Sequence, residues 1–216
     1  MNLQAVRQQM IDQQVRAWEV FDPAVLAALR AVPREQFAPA AYAEVAYADT
    51  DIPLPHGEVM LAAKWVGRAL QALEVKPQDL ALVIGAGTGY VVACLARLTS
   101  QLLAMELHAD LAAAARTNLA ACGAGSVEIQ VADGMGLEPI ARYDVIFIGG
   151  SLPVPDDRFE RALRIGGRLF AVVGQAPAME AWLITRTAEQ TWTREPLFET
   201  VIPMLAHART RTAFQF

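Results

Sequence analysis

Leu80-Ala81-Leu82-Val83-Ile84 runs directly into Gly85-Ala86-Gly87-Thr88-Gly89, and Tyr90-Val91-Val92-Ala93-Cys94-Leu95-Ala96 follows. A short unbroken run of Leu, Val and Ile suits a strand buried on both faces, and the segment after the glycines has the apolar content of a packed helix. Glycine is needed between them because the backbone must turn with positive φ and let a ligand come closer than any Cβ allows, with free N–H groups facing it. The whole uncharged stretch is shorter than the roughly 20 residues of a membrane helix and is interrupted by Gly85, Gly87 and Gly89. It reads as strand, turn and helix.

On the C-terminal side further apolar runs recur at regular intervals: Leu102 to Met105, Val127 to Val131 and Asp144 to Ile148. Helical patterns separate the first three, which predicts repeated βαβ units and a parallel sheet, an α/β fold. Gly166-Gly167 precedes Arg168 to Val173, and Trp182 to Thr187 with Thr191 to Glu199 then read as paired strands, so the sheet is expected to end in an antiparallel edge. On the N-terminal side the pattern is helical. Leu3, Val6, Met10 and Ile11 share one helix face. Asp22-Pro23 supplies an N-cap carboxylate and a first-turn proline for a second helix striped by Val25, Leu26, Leu29 and Val32 and closed by Pro33. Pro39 to Pro55 reads as irregular chain, a long loop of the kind that serves function. The expected organisation is a helical and loop region over residues 1–75, packed on a main domain over 76–216, in one globular unit.

Three features converge on the carboxyl edge of such a sheet, where open α/β folds bind ligands. Besides Gly85 to Gly89 there is Glu106 at the end of the next strand, an acid placed to hold both hydroxyls of a ribose. Asp133-Gly134-Met135-Gly136 follows the third strand, and Asp133 there can accept from an adenine amino group. The purely structural alternatives are a tight turn with Glu106 as a solvated charge, and an Asp-Gly pair that is turn chemistry alone. Together the three point to an adenosine-type ligand. A dinucleotide is disfavoured, because the spacing is GxGxG rather than GxGxxG and no second mononucleotide half follows. S-adenosylmethionine fits better.

Composition narrows the classes. Of 216 residues 54% are hydrophobic and 19% charged, against roughly 25% charged in an average soluble protein. Disorder is excluded as the main state. A net charge of −5 argues against a nucleic-acid partner, since phosphate binding needs clustered Lys and Arg. Cys94 and Cys122 lack CxxC spacing, His108 and His207 lack metal-ligand spacing, and no metal site is expected. The two thiols read as apolar fillers. With no signal-peptide pattern at the N-terminus, a reduced cytoplasmic setting away from membranes is the expectation. Trp18, Trp65, Trp182 and Trp192 are too far apart in sequence to suggest a stacking platform, which leaves core or interface packing.

At this point the chain resembles the protein-L-isoaspartate O-methyltransferases. Ala31-Val32-Pro33-Arg34-Glu35-Gln36-Phe37 with Ala46-Tyr47-Ala48-Asp49 is similar to that family's N-terminal signature, and Leu82 to Tyr90 to its cofactor loop. Tyr143-Asp144-Val145-Ile146, Gly166-Gly167-Arg168-Leu169 with Val173-Gly174, and Val201-Ile202-Pro203-Met204 are similar to later segments. The resemblance implies a seven-stranded methyltransferase sheet and S-adenosylmethionine as cofactor. Gly85, Ala86, Gly87, Thr88 and Gly89 would lie at its methionine part, Glu106 at the ribose, and Asp133 and Gly134 beside the adenine. It also implies methyl transfer to a protein or peptide carboxylate.

One segment departs from the family pattern. The family loop reads Gly-Gln-Thr-Ile-Ser-Gln-Pro, with hydroxyls that serve the substrate carboxylate and the cofactor. Here His56-Gly57-Glu58-Val59-Met60-Leu61-Ala62-Ala63 stands in its place, with Val59 for the Thr and Leu61 for the Ser. Gly149-Gly150-Ser151-Leu152-Pro153 likewise replaces a Thr-Ala-Ala-like loop. The expected substrate pocket is His56, Val59, Met60 and Leu61, with no catalytic side chain singled out. The rival reading is an S-adenosylmethionine-binding protein without isoaspartyl activity, serving another acceptor or a non-catalytic role.

Overall fold

In the computed structural model, which describes residues 2–210, the chain begins with α1 (Leu3–Met10), whose helical path continues through two short turns to Trp18. Next comes α2 (Pro23–Ala31), capped as its sequence requires, the Asp22 carboxylate accepting from the Val25 N–H at 2.9 Å. The proline-rich stretch consists of 3₁₀ turns and a small antiparallel ladder, β1 (Ile52–Pro53) against β2 (Val59–Met60), before α3 (Ala63–Leu73).

The alternating portion follows: β3 (Leu80–Ile84), α4 (Tyr90–Leu95), β4 (Gln101–Glu106), α5 (Ala109–Ala121), β5 (Glu128–Val131), β6 (Tyr143–Leu152), α6 (Asp157–Ala162) and β7 (Leu163–Gln175). β8 (Ala178–Ala188) and β9 (Thr191–Glu199) come last among the strands of the described residues. The seven-stranded sheet has the order β5-β4-β3-β6-β7-β8-β9. Pairings are parallel from β5 through β7 and antiparallel from β7 to β9. The expected methyltransferase-type α/β sheet with its antiparallel edge is the observed one.

The strands read as continuous apolar runs because both faces are covered. Ala81, Val83, Val145 and Phe147 share a buried cluster with Leu29, Phe37 and Leu70 of the N-terminal layer. Leu82, Ile84, Ile146 and Ile148 face the other way, onto Phe159 of α6. Each fully buried Leu, Ile or Phe contributes about 1.5–3 kcal/mol, so sheet and N-terminal layer hold each other in place.

Two features differ from the sequence expectation. The loop expected at Gly149 to Pro153 is, as far as Leu152, a continuation of β6. Its register against β7 shifts between Phe147 and Ser151, so the strand bulges at the two glycines. A Cβ on Gly149 would stand 2.7 Å from the Gly85 carbonyl oxygen, and glycine is what lets β6 end directly beneath the β3 turn. Trp18 and Trp65, far apart in sequence, meet edge to face at 4.6 Å, and Trp65 stacks on Phe198 at 4.9 Å. The role is packing, as expected, but the fold gathers an aromatic trio that linear spacing hides. Cys94 is fully buried, its thiol pushed up to about 12 by that burial, in keeping with an apolar filler.

Candidate active site

Because β3, β4, β5 and β6 are parallel, their carboxyl ends lie along one edge, and the segments that follow them converge there. The glycine turn after β3 has φ of +77° at Gly85, +54° at Gly87 and +95° at Gly89, a conformation that strains any residue with a Cβ. The N–H groups of Gly85 and Ala86 donate to the Met105 carbonyl at 2.9 and 3.1 Å, which locks the turn to β4.

Glu106 closes β4 with its side chain turned into this edge and only 4% exposed. One carboxylate oxygen accepts the Gly87 N–H at 2.7 Å and the other the His108 N–H at 3.0 Å. Asp133 follows β5. Its Oδ1 accepts from the Met135 N–H at 2.8 Å, and its Oδ2 lies 2.8 Å from Nδ1 of His207. Burial opposes ionisation of Asp133, but the His207 ring and the Met135 N–H outweigh it and hold the carboxyl below its usual range.

These residues line one crevice, together with Gly134, Gly149, Leu205 and Ala206. Beside it lies a second, smaller cavity, lined by Leu54, Val59, Met60, Leu61, Thr88, Tyr90 and Phe147. Val59, Gly85, Gly87 and Gly149 border both, so the two adjoin as a cleft with a polar chamber, holding Glu106 and Asp133, and an apolar one lined mostly by apolar side chains.

Of the expected residues, Gly85, Gly87, Glu106, Asp133 and Gly134 line the polar chamber. Ala86 and Thr88 line the apolar one instead, and Gly89 lies beneath both, a Cβ there coming 3.3 Å from the Ala115 Cα. Val59, Met60 and Leu61 lie together in the lining of the apolar chamber. His56 is not. Its ring stands outside the chamber, 3.0 Å from both Asp110 carboxylate oxygens and stacked on His108 with centroids 3.9 Å apart. The 3₁₀ turn Pro55–Gly57, with His56 at φ +65°, carries the ring outward, and it holds the Asp110 carboxyl below the usual range.

Sequence reasoning did not find the parts that His108, Tyr90, Phe147 and the segment Leu205 to His207 play in the cleft. His108 was findable from its place just after Glu106. The C-terminal segment was not, because backbone bonds from Ser151 to Pro203 at 2.8 Å and from Leu205 to Ser151 at 2.9 Å, which no motif announces, bring it over the crevice. Among the described residues no group of His, Cys, Asp and Glu is arranged to hold a metal, and no helix is long and apolar enough to cross a membrane.

A family model for protein-L-isoaspartate(D-aspartate) O-methyltransferases matches residues 5–204. A protein-L-isoaspartate O-methyltransferase of Koribacter versatilis is 37% identical over 181 residues, covering 83% of this chain and 81% of that protein. One of Rhodopseudomonas palustris is 36% identical over 199 residues, covering 91% of each. Among solved structures, a protein-L-isoaspartate O-methyltransferase from Plasmodium falciparum in complex with S-adenosyl-L-homocysteine superposes with a TM-score of 0.81 over 95% of this chain and 98% of its own. At 18% identity that likeness speaks for the fold alone. The glycine turn, the acid closing β4 and the Asp-Gly pair after β5 thus sit in a matching sheet within a match that spans nearly the whole sequence, and the chain belongs to the protein-L-isoaspartate(D-aspartate) O-methyltransferase family.

Proposed function

We propose that this chain is a methyltransferase that uses S-adenosylmethionine to methylate a carboxylate of a protein or peptide, the isoaspartyl carboxylate being the acceptor its relatives' names describe. The observation that carries the reading is the arrangement of Gly85, Gly87, Glu106 and Asp133 at three successive strand ends around one crevice that adjoins an apolar chamber.

The residues present fit the cofactor. Each Glu106 oxygen has one N–H partner, which leaves a lone pair on each for a ribose hydroxyl. Asp133 with Gly134 would hold the adenine end, and the turn from Gly85 would pass the methionine part without a Cβ in the way. When bound, S-adenosylmethionine supplies an electrophilic methyl group on a sulfonium centre. An acceptor carboxylate, with a pKa near ~4, is already ionised at neutral pH and requires no general base. The chain's own contribution is positioning and exclusion of water, which together remove several kcal/mol of barrier without acid or base side chains. Leu54, Val59, Met60, Leu61 and Phe147 form the dry wall that does so.

Calorimetry with S-adenosylmethionine and with NAD, followed by methyl transfer to an isoaspartyl peptide and to its normal aspartyl counterpart, tests the reading. Binding of the first ligand alone and turnover of the isoaspartyl peptide alone are the expected results. A preference for NAD, or cofactor binding without turnover of that peptide, overturns it.

Glu58 lines the polar chamber with Glu106 and His108, next to Val59, which borders both chambers, and on the reading proposed here its charge acts on an acceptor anion that enters beside Val59. Burial, then the neighbouring Glu106, push its carboxyl above the usual range, against the pull of His108 and His56. Its negative charge is lost as pH falls through that raised value, before an ordinary carboxylate such as the isoaspartyl group is protonated. Acceptor KM should fall as pH drops from 8 towards 5. Glu58→Gln should lower KM at pH 7.5 by about fivefold, the effect of roughly 1 kcal/mol between like charges partly screened by solvent. A variant whose KM-versus-pH profile superimposes on the parent's shows that Glu58 plays no such part.

A further inference from the structure

Two tripeptides of one form, His56-Gly57-Glu58 at the tip of the β1–β2 hairpin and His108-Ala109-Asp110 at the start of α5, meet beside the polar chamber, whose lining includes Glu58 and His108. They interlock. The His56 Nε2 lies 3.0 Å from both Asp110 carboxylate oxygens, and in the opposite sense the His108 Nε2 lies 3.8 Å from a Glu58 oxygen. Between these pairs the imidazole rings stack with centroids 3.9 Å apart, only 5° from parallel. Each histidine thus faces the acid of the other segment. The α5 half is fixed to the sheet, since the His108 N–H donates to Glu106 Oε1 at 3.0 Å. The hairpin half is a ladder of two residue pairs, closed by the Leu54 N–H on the Glu58 carbonyl at 2.8 Å. Its tip turns through φ of +65° at His56 and +79° at Gly57, where a Cβ would meet no atom within 4 Å.

The charged groups that face the two rings are Glu58 from the hairpin, Asp110 from α5 and Glu106 from β4. With both rings neutral, hairpin and helix present like charges to each other. A proton on the stack replaces that repulsion by an ion pair, and parallel rings so close take up one proton more readily than two, because like charges repel. We propose that the interlocked tripeptides are a proton-operated clasp that fastens the β1–β2 hairpin to α5 beside the crevice, and that its charge sets how fast S-adenosylhomocysteine, the product left by methyl transfer, escapes. The inference rests on the cofactor reading given above. Val59, Met60 and Leu61 follow Glu58 directly, so a loosened tip also loosens the wall of the apolar chamber. Histidine is the side chain whose charge ordinarily changes between about pH 5 and 8. The Asp110 carboxyl, held below its usual range by the His56 ring, stays ionised throughout, so the clasp is fastened on the acid side and loosened on the alkaline side. Glu58, whose carboxyl burial pushes up, loses its charge earlier on acidification, which leaves His56 and Asp110 as the half that carries the effect there.

The experiment compares the parent chain with His56→Asn, Asp110→Asn and the double variant at about pH 6 and pH 8.5. Asparagine at position 56 tolerates the left-handed turn while being too short to keep the ring's contacts. Amide hydrogen exchange over residues 54–60, corrected for the intrinsic pH dependence of exchange, is read in the cofactor-free chain, and surface plasmon resonance gives the dissociation rate of S-adenosylhomocysteine. The side chains of His56 and Asp110 are 41% and 59% exposed, so the effect is the few-fold one of a solvent-screened pair. In the parent, dissociation should be about threefold faster at the alkaline pH, with faster exchange in the hairpin. Either single variant should show the alkaline behaviour at both pH values, and the double variant should add nothing further, since the two side chains act as one pair. Hairpin exchange and dissociation that ignore pH in the parent, or single-variant effects that simply add, overturn the proposal. Failure to bind S-adenosylhomocysteine would remove the cofactor reading, and hairpin exchange in the free chain would then decide the clasp by itself.

Discussion

Glu106→Ala should raise the dissociation constant for S-adenosylmethionine by at least about 100-fold. The carboxylate has two duties on one side chain. It ties the Gly87 N–H at 2.7 Å and the His108 N–H at 3.0 Å, and it presents its remaining lone pairs to the crevice. On the proposed reading, removing it would delete the ribose contacts, and it would free the glycine turn from its tie to β4. Hydrogen bonds to a charged group are worth about 1.5–3 kcal/mol each, and a net loss near 3 kcal/mol corresponds to roughly 150-fold in Kd. Glu106→Gln keeps one oxygen for the Gly87 N–H and should fall between parent and alanine variant. Calorimetry reads the effect directly, and the rise in melting temperature that saturating cofactor produces should vanish in the alanine variant. An affinity within threefold of the parent's would mean that the crevice binds something else.

Arg34→Ala should destabilise the fold by about 3–5 kcal/mol, the range for emptying a large buried site and stripping its hydrogen bonds. Arg34 is fully buried at the junction of the N-terminal layer and α4. Its Nε donates to the Ala46 carbonyl at 2.7 Å, its guanidinium packs 4.7 Å from the Tyr90 ring centroid, and neither Nη1 nor Nη2 has a hydrogen-bond partner. Burial pushes the guanidinium below its ordinary pKa, against the opposing influence of Tyr90, Cys94 and Asp51. Truncation leaves the Ala46 carbonyl unpaired and a void over Tyr90. Arg34→Met fills most of the volume and removes the incompletely paired charge, so it should cost much less, because replacing a buried ion by an apolar isostere is often close to neutral. Urea titrations with an unchanged m-value measure both differences. Equal losses in the two variants would show that the charge, not the packing, is what the site requires.

The parts of the site that lie at strand ends were legible, and the parts that arrive from elsewhere were not. Gly85, Glu106 and Asp133 each follow an apolar run, so a parallel sheet already places them on one edge. His207 reaches Asp133 only because residues 203–205 are bonded to the end of β6, and His56 leaves the chamber because one residue adopts a left-handed turn. Thr88 was readable as a member of the glycine turn. Which chamber its side chain enters depends on how far the turn rotates, and the motif is silent on that. Trp18 and Trp65 teach the same lesson for packing, since Phe198 comes from a third region to complete their contact.

The order of apolar runs, the periodicity between them and the glycines after the first are local properties. They determine the α/β sheet, its antiparallel edge and the glycine-turn end of the cleft, since burying both faces of a strand and turning sharply into a helix each constrain neighbouring residues directly. The division of the cleft into a polar and an apolar chamber was settled by tertiary structure. It arises where the β6 bulge, the β1–β2 ladder and the C-terminal segment meet the glycine turn, and chain segments so far apart in sequence are brought into contact only by the register of the assembled sheet.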